Sequence, residues 1–124
     1  MRLLQRLTLA ASLAALAGCA TAPVPGITYI GAPRVTQLIE SNAPQMAATE
    51  TGTLKAWITI RNRSKTKLMV EGRASFTGDK GQPIEAPTGW QSVFIEGESS
   101  ASLQFLSMST AARQVNIELR EGNR

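Results

Sequence analysis

Leu54, Ala56, Ile58 and Ile60 alternate with Lys55, Trp57, Thr59 and Arg61. A period of two sends successive side chains to opposite faces of an extended chain, so this stretch predicts a strand with one aliphatic and one polar face. The rhythm returns in 67–77, where Leu68, Val70, Gly72, Ala74 and Phe76 share a side. It returns again in Ala101, Leu103 and Phe105 against Ser102 and Gln104, and in Val115, Ile117 and Leu119 against Asn116, Glu118 and Arg120. Residues 90–95 are β-rich in composition. Residues 34–41 predict a first strand with weak alternation, and 45–49 a short strand or loop. Turn-forming clusters separate these segments: Asn42-Ala43-Pro44, Thr51-Gly52, residues 62–66, Gly78-Asp79-Lys80-Gly81, Pro87-Thr88-Gly89 and Glu96-Gly97-Glu98-Ser99. Residues 110–113 fit one irregular or helical turn, and no stretch after Gly26 shows a helical stripe.

About six or seven short strands, spaced by roughly ten residues, predict an all-β fold: a small antiparallel β-sandwich of immunoglobulin-like type. The strands at 54–60 and 68–76 are expected to pair directly as an antiparallel hairpin. The expected core is Ile58, Ile60, Leu68, Val70, Phe76, Leu103, Phe105, Val115, Ile117 and Leu119. Trp90 is expected to plug it over the space left by Gly72 and Ala74.

The N-terminal residues follow another rule. Arg2 and Arg6 precede an apolar run from Leu7 to Leu16 that is too short to cross a bilayer. Leu16-Ala17-Gly18-Cys19 then resembles the lipobox of bacterial lipoproteins at all four positions. The resemblance implies cleavage between Gly18 and Cys19, with acylation of the Cys19 sulfur and of the new amine. The chain then divides into a signal peptide (1–18), an acylated cysteine with a Pro-rich tether (19–27) and a β-sandwich domain (28–124). Two or more acyl chains anchor far more firmly than one. Ala20, where an aspartate would signal inner-membrane retention, implies the outer membrane, with the domain facing the periplasm. Residues 20–26 reach at most about 25 Å when extended, so the domain stays close to its membrane.

Cleavage leaves 106 residues (124 − 18), enough for one small domain. Without Arg2 and Arg6 the net charge falls from +4 to +2 (11 basic against 9 acidic residues), which gives no support to nucleic-acid binding. Histidine is absent and Cys19 is the only cysteine. The commonest general base, the commonest metal ligand and any internal disulfide are therefore missing. No cofactor, metal site or catalytic residue is expected.

A strand running into Asn62-Arg63-Ser64, a second carrying Arg73 and Phe76 and ending before Gly81, Trp90 beyond it, and a last strand over 113–120 resemble the YcfL-like family of small bacterial lipoproteins. The resemblance covers about residues 50–120. Members carry aromatics beside the arginine, where this chain has Gly72 and Ala74. It implies a periplasmic β-sandwich and carries over no catalytic residue.

Two surface features are candidate binding elements. Arg61, Arg63, Lys65 and Lys67 stand at i, i+2 spacing. In an extended chain they project to one side, as a contact for anionic headgroups, lipopolysaccharide phosphates or an acidic partner, or as a solvated loop. Trp57 falls on the polar face of its strand, as an interface hot spot or beneath a covering segment. Glu96 and Glu98 read as solvated turn charges. The expected function is that of a non-catalytic outer-membrane lipoprotein, held through Cys19, that binds another envelope protein. The alternatives are a module for peptidoglycan or lipopolysaccharide, and a structural subunit of a secretion or conjugation complex.

Overall fold

The computed structural model describes residues 24–122; Gly18 and Cys19, with the signal and most of the tether, lie outside them. The described elements run β1 (Ile27–Tyr29), α1 (Arg34–Leu38), β2 (Ile39–Ser41), β3 (Gln45–Ala48), β4 (Leu54–Asn62), β5 (Leu68–Thr77), β6 (Gln91–Ile95), β7 (Ser100–Leu106) and β8 (Gln114–Glu121). One sheet has the order β1-β8-β5-β6, and the other has β2 and β3 on one edge of β4 and β7 on the opposite edge. The two sheets pack as the expected β-sandwich. Among the described residues no helix is long and apolar enough to cross a membrane.

Three expectations about the strands change. Residues 34–41 are not one strand: a single helical turn covers one end of the sandwich before β2 begins. Val35 and Ile39, four residues apart, are both buried. That is helical spacing, and it explains the poor alternation. Second, β4 and β5 do not pair but lie in opposite sheets, so 63–67 is an arch across the core. Two strands with one aliphatic face each bury it equally well side by side or face to face, so periodicity cannot choose between the two. Third, the sandwich is not wholly antiparallel: β1 runs parallel to β8, with Ile27, Thr28 and Tyr29 beside Ile117, Glu118 and Leu119.

Asn62 holds the arch. It is fully buried, and its amide nitrogen donates to the carbonyls of Thr66 (2.8 Å), Ile95 (2.9 Å) and Glu96 (3.2 Å). Its Oδ1 accepts from the N–H and the hydroxyl of Ser64, and its own N–H donates to Ser99. Every polar atom of this buried side chain has a partner, as burial demands. Farther along the second sheet Asn42 bridges the gap between β2 and β3. Its N–H donates to the Thr59 carbonyl and its Oδ1 accepts from the Thr59 N–H, completing the ladder beside Pro44.

The core contains every expected member except Val115, which packs half-buried against it, and it adds Val35, Ile39, Ala56, Ala74, Ile95 and Ala112. Trp90 is not in it. The space at Gly72 is taken by leucines: a methyl group there would stand 2.9 Å from Leu103 Cδ1 and 3.0 Å from Leu119 Cδ2. Leu103 and Leu119 thus fill the space that the indole was expected to occupy.

The sandwich has two unlike ends. The arch end carries α1, loop 63–67 and turn 96–99. The hairpin end carries turns 49–53 and 78–82 and loop 107–113.

Candidate functional site

Trp57 stands on the outer face of the second sheet, half-buried, between Gln45 of β3 and Gln104 of β7. Lys55 Nζ is 5.6 Å from the ring centroid. With Ser102, Leu103 and Gln104 these two side chains line a shallow open depression. No segment of the described chain closes over it. The depression carries one charged side chain and is centred on one amphipathic ring.

The four cations do not form a single stripe. Arg61 donates to the Glu98 carbonyl (3.3 Å), and Arg63 pairs with Glu40 of β2 (3.4 Å). Lys67 pairs with Glu96 (3.4 Å) and stands 5.6 Å from the Phe94 ring of β6. Lys65 makes no ion pair among the described residues. The arch therefore splits them: Arg61 and Arg63 serve the second sheet, and Lys67 the edge of the first. Exposed pairs of this kind contribute about 0–1 kcal/mol each and mainly neutralise the local field. Glu96 and Glu98 are exposed turn residues, as expected.

A third group was not anticipated as a unit. On the outer face of the first sheet the guanidinium of Arg120 lies 3.7 Å from the Trp90 ring centroid, and that of Arg73 lies at 4.7 Å. Arg120 Nε donates to Glu71 (2.7 Å) and Arg73 Nε to Glu118. The register causes this, since Glu71 stands beside Arg120 and Arg73 beside Glu118 across β5 and β8. Ser92 adds a hydroxyl to Glu71 (3.3 Å). Both arginines are charge-paired and stacked, so the cluster braces the sheet and leaves little free charge for an anion. Trp90→Ala is expected to lower stability by about 1–2 kcal/mol with the strand content unchanged. Chemical denaturation followed by circular dichroism measures it, and an unchanged midpoint would mean the stack contributes nothing.

Tyr29 joins the sheets: its hydroxyl oxygen accepts from the Ser41 N–H at 3.1 Å. Burial pushes its phenol above the ordinary range, while that hydrogen bond and Arg63 act the other way. The hydrogen bond and charge of Glu121 raise Arg34. Neither group faces a cleft. No group of three or more His, Cys, Asp or Glu side chains suited to a metal ion occurs among the described residues.

No curated protein matches the sequence. Two solved structures share the fold. One is a DUF1425 family member from Shewanella sp. pv-4 (TM-score 0.62, 21% identity, covering 69% of this chain and 80% of that one). The other is cj0090 from Campylobacter jejuni (TM-score 0.60, 16% identity, covering 78% and 98%). The family described as "Protein of unknown function (DUF1425)" matches residues 27–121, which run from the first residue of β1 to the last of β8. The match spans the whole sandwich, and its description assigns no catalytic activity. The chain belongs to the DUF1425 family, of which the YcfL-like proteins are a type.

Proposed function

We propose that this chain is an outer-membrane lipoprotein, acylated at Cys19 after loss of residues 1–18, whose β-sandwich binds another envelope protein in the periplasm without catalysing a reaction. The observation that carries the binding role is Trp57. Its ring stays half-exposed on a flat sheet face, in a depression with Lys55, Ser102 and Gln104, where a partner gains apolar contact area around one anchor. The Leu16–Cys19 motif supports the anchor. The reading as a peptidoglycan or lipopolysaccharide module draws less support, because Arg63 and Lys67 are already paired with Glu40 and Glu96. Nothing in the loops favours a subunit of a secretion or conjugation complex.

Photocrosslinking in intact cells tests the proposal. A crosslinkable residue replaces Trp57 in one strain and Arg63 in another, and adducts are identified by mass spectrometry. One dominant protein adduct from position 57 is the expected result. Adducts to glycan or lipid, or none at all, would remove the protein-binding role, and a dominant adduct from position 63 alone would move it to the arch.

A further inference from the structure

The two ends of the sandwich differ in their distance from the start of the described chain. Ile27 stands beside Ile117, which stands beside Ala74. From Ala74, β5 runs three residues to Thr77 at the hairpin end and six to Leu68 at the arch end. At about 3.3 Å per residue these distances are roughly 10 Å and 20 Å. Cys19 precedes Val24 by five residues, at most about 18 Å of chain. The anchor therefore reaches the hairpin end without being stretched.

Three of the five large apolar side chains exposed among the described residues lie at that end, and Phe94 and Ile30 lie toward the other. Met108 is 87% exposed, Leu106 50% and Met46 46%. Met108 does not hang from a loose loop. Its N–H donates to the Glu85 carboxylate (2.9 Å), Ser107 and Ser109 bond each other's loop atoms at 3.0 Å, and Arg113 donates to the carbonyls of Thr110 and Ala112 (2.8 Å each). A braced loop that presents a bare thioether is costly to leave in water. Lys55, Lys80 and Arg113 stand near this end with Glu50, Asp79 and Glu85, so no net charge draws it to an anionic surface.

From these placements we infer that the hairpin end, led by Met108 and Leu106, rests on the lipid leaflet that holds the acyl chains of Cys19, and that the Arg61–Lys67 loop faces away from it. This rests on the lipid-anchor reading above. The occupant is the headgroup–acyl boundary of a bilayer, and the contact is apolar. The rim is too small to bind lipid from free solution. The tether removes that requirement by keeping the domain at high effective concentration over the surface. The nine residues of β4 span about 30 Å, which holds the basic arch well clear of the leaflet.

Fluorescence quenching on the lipidated full chain tests this. Acylation occupies Cys19, so a single introduced cysteine takes the probe. Met108→Cys is compared with Phe94→Cys, a site at the arch end that is 57% exposed. Both chains are purified from membranes and reconstituted into phosphatidylethanolamine–phosphatidylglycerol vesicles containing brominated lipid. The probe at 108 is expected to be quenched at least about twofold more than the probe at 94. Equal quenching, or stronger quenching at 94, overturns the inference. The mass of the N-terminal peptide is read on the same samples. Acyl groups with no excess quenching at 108 refute this orientation alone, whereas an unacylated Cys19 refutes the anchor and the orientation with it.

Discussion

Asn62→Asp is expected to cost about 3–5 kcal/mol at neutral pH, a large share of the stability of a small domain. The substitution keeps the shape and replaces the NH₂ group with a carboxylate oxygen. That oxygen would face the carbonyls of Thr66, Ile95 and Glu96, which now receive hydrogen bonds. Burial and these dipoles both oppose ionisation, so the aspartate in the folded state has its pKa raised. The sign follows from that: the folded state holds the proton more tightly than the unfolded one. The penalty is therefore smallest below the unfolded pKa and grows as pH rises through the folded value. Urea titrations at several pH values measure it. The variant should regain stability on mild acidification while the parent does not, and a pH-independent loss would mean that the missing donors, not a buried charge, set the cost.

Gly97→Ala is expected to cost about 2–3 kcal/mol, for a steric rather than an electrostatic reason. A methyl group at Gly97 would stand 2.3 Å from the Lys65 carbonyl oxygen and 2.5 Å from its carbon. These are backbone atoms and cannot swing aside as a side chain would. They are held in place because the neighbouring Glu98 N–H donates to the Ser64 carbonyl at 2.9 Å. Relief means separating loop 63–67 from turn 96–99, which also pulls on the Asn62 bonds to Thr66 and Glu96. Glu96→Ala next door is the control. It removes an exposed pair with Lys67 and is expected to change stability by less than about 1 kcal/mol. Thermal or urea unfolding of the two variants side by side checks the contrast, and equal midpoints would show that the turn relaxes freely.

Strand positions and core faces were legible because each rests on local alternation. Leu54 to Ile60, Leu68 to Phe76, Leu103 to Phe105 and Val115 to Leu119 all bury the side the pattern selects. Pairing was not legible, because alternation states which face is buried and says nothing about the neighbour. The expected hairpin of 54–60 with 68–76 failed on that point: the polar run between them reads as a turn, but Asn62 points inward and makes it an arch. Asparagine was visible there, and its burial was not. The Trp90 cluster was hidden for a related reason. Glu71 and Arg73 alternate along one strand and Glu118 and Arg120 along another, but they meet only through the register of strands some 45 positions apart. With that register known, opposite charges on facing outer positions point to the cluster. Trp57 was placed correctly because its neighbours alone decide its face. Where the cations at 61–67 point was not legible, because loop geometry, not spacing, aims them.

The parallel pairing of β1 with β8 sets the order in which the molecule can be completed. Ile27 and Ile117 are neighbours in space and 90 positions apart in sequence (117 − 27). Closing so long a loop is slow and comes late in folding. A chain delivered from its N-terminus, by ribosome or by translocation pore, emerges with β1 first and its only ladder partner last. Until β8 is free, β1 has no place in a sheet, and β5 likewise lacks one of its two neighbours. The segment next to the tether therefore stays extended and accessible throughout delivery. If the lipid-anchor proposal holds, enzymes that process residues 18 and 19 would meet the neighbouring β1 still unpaired during that interval.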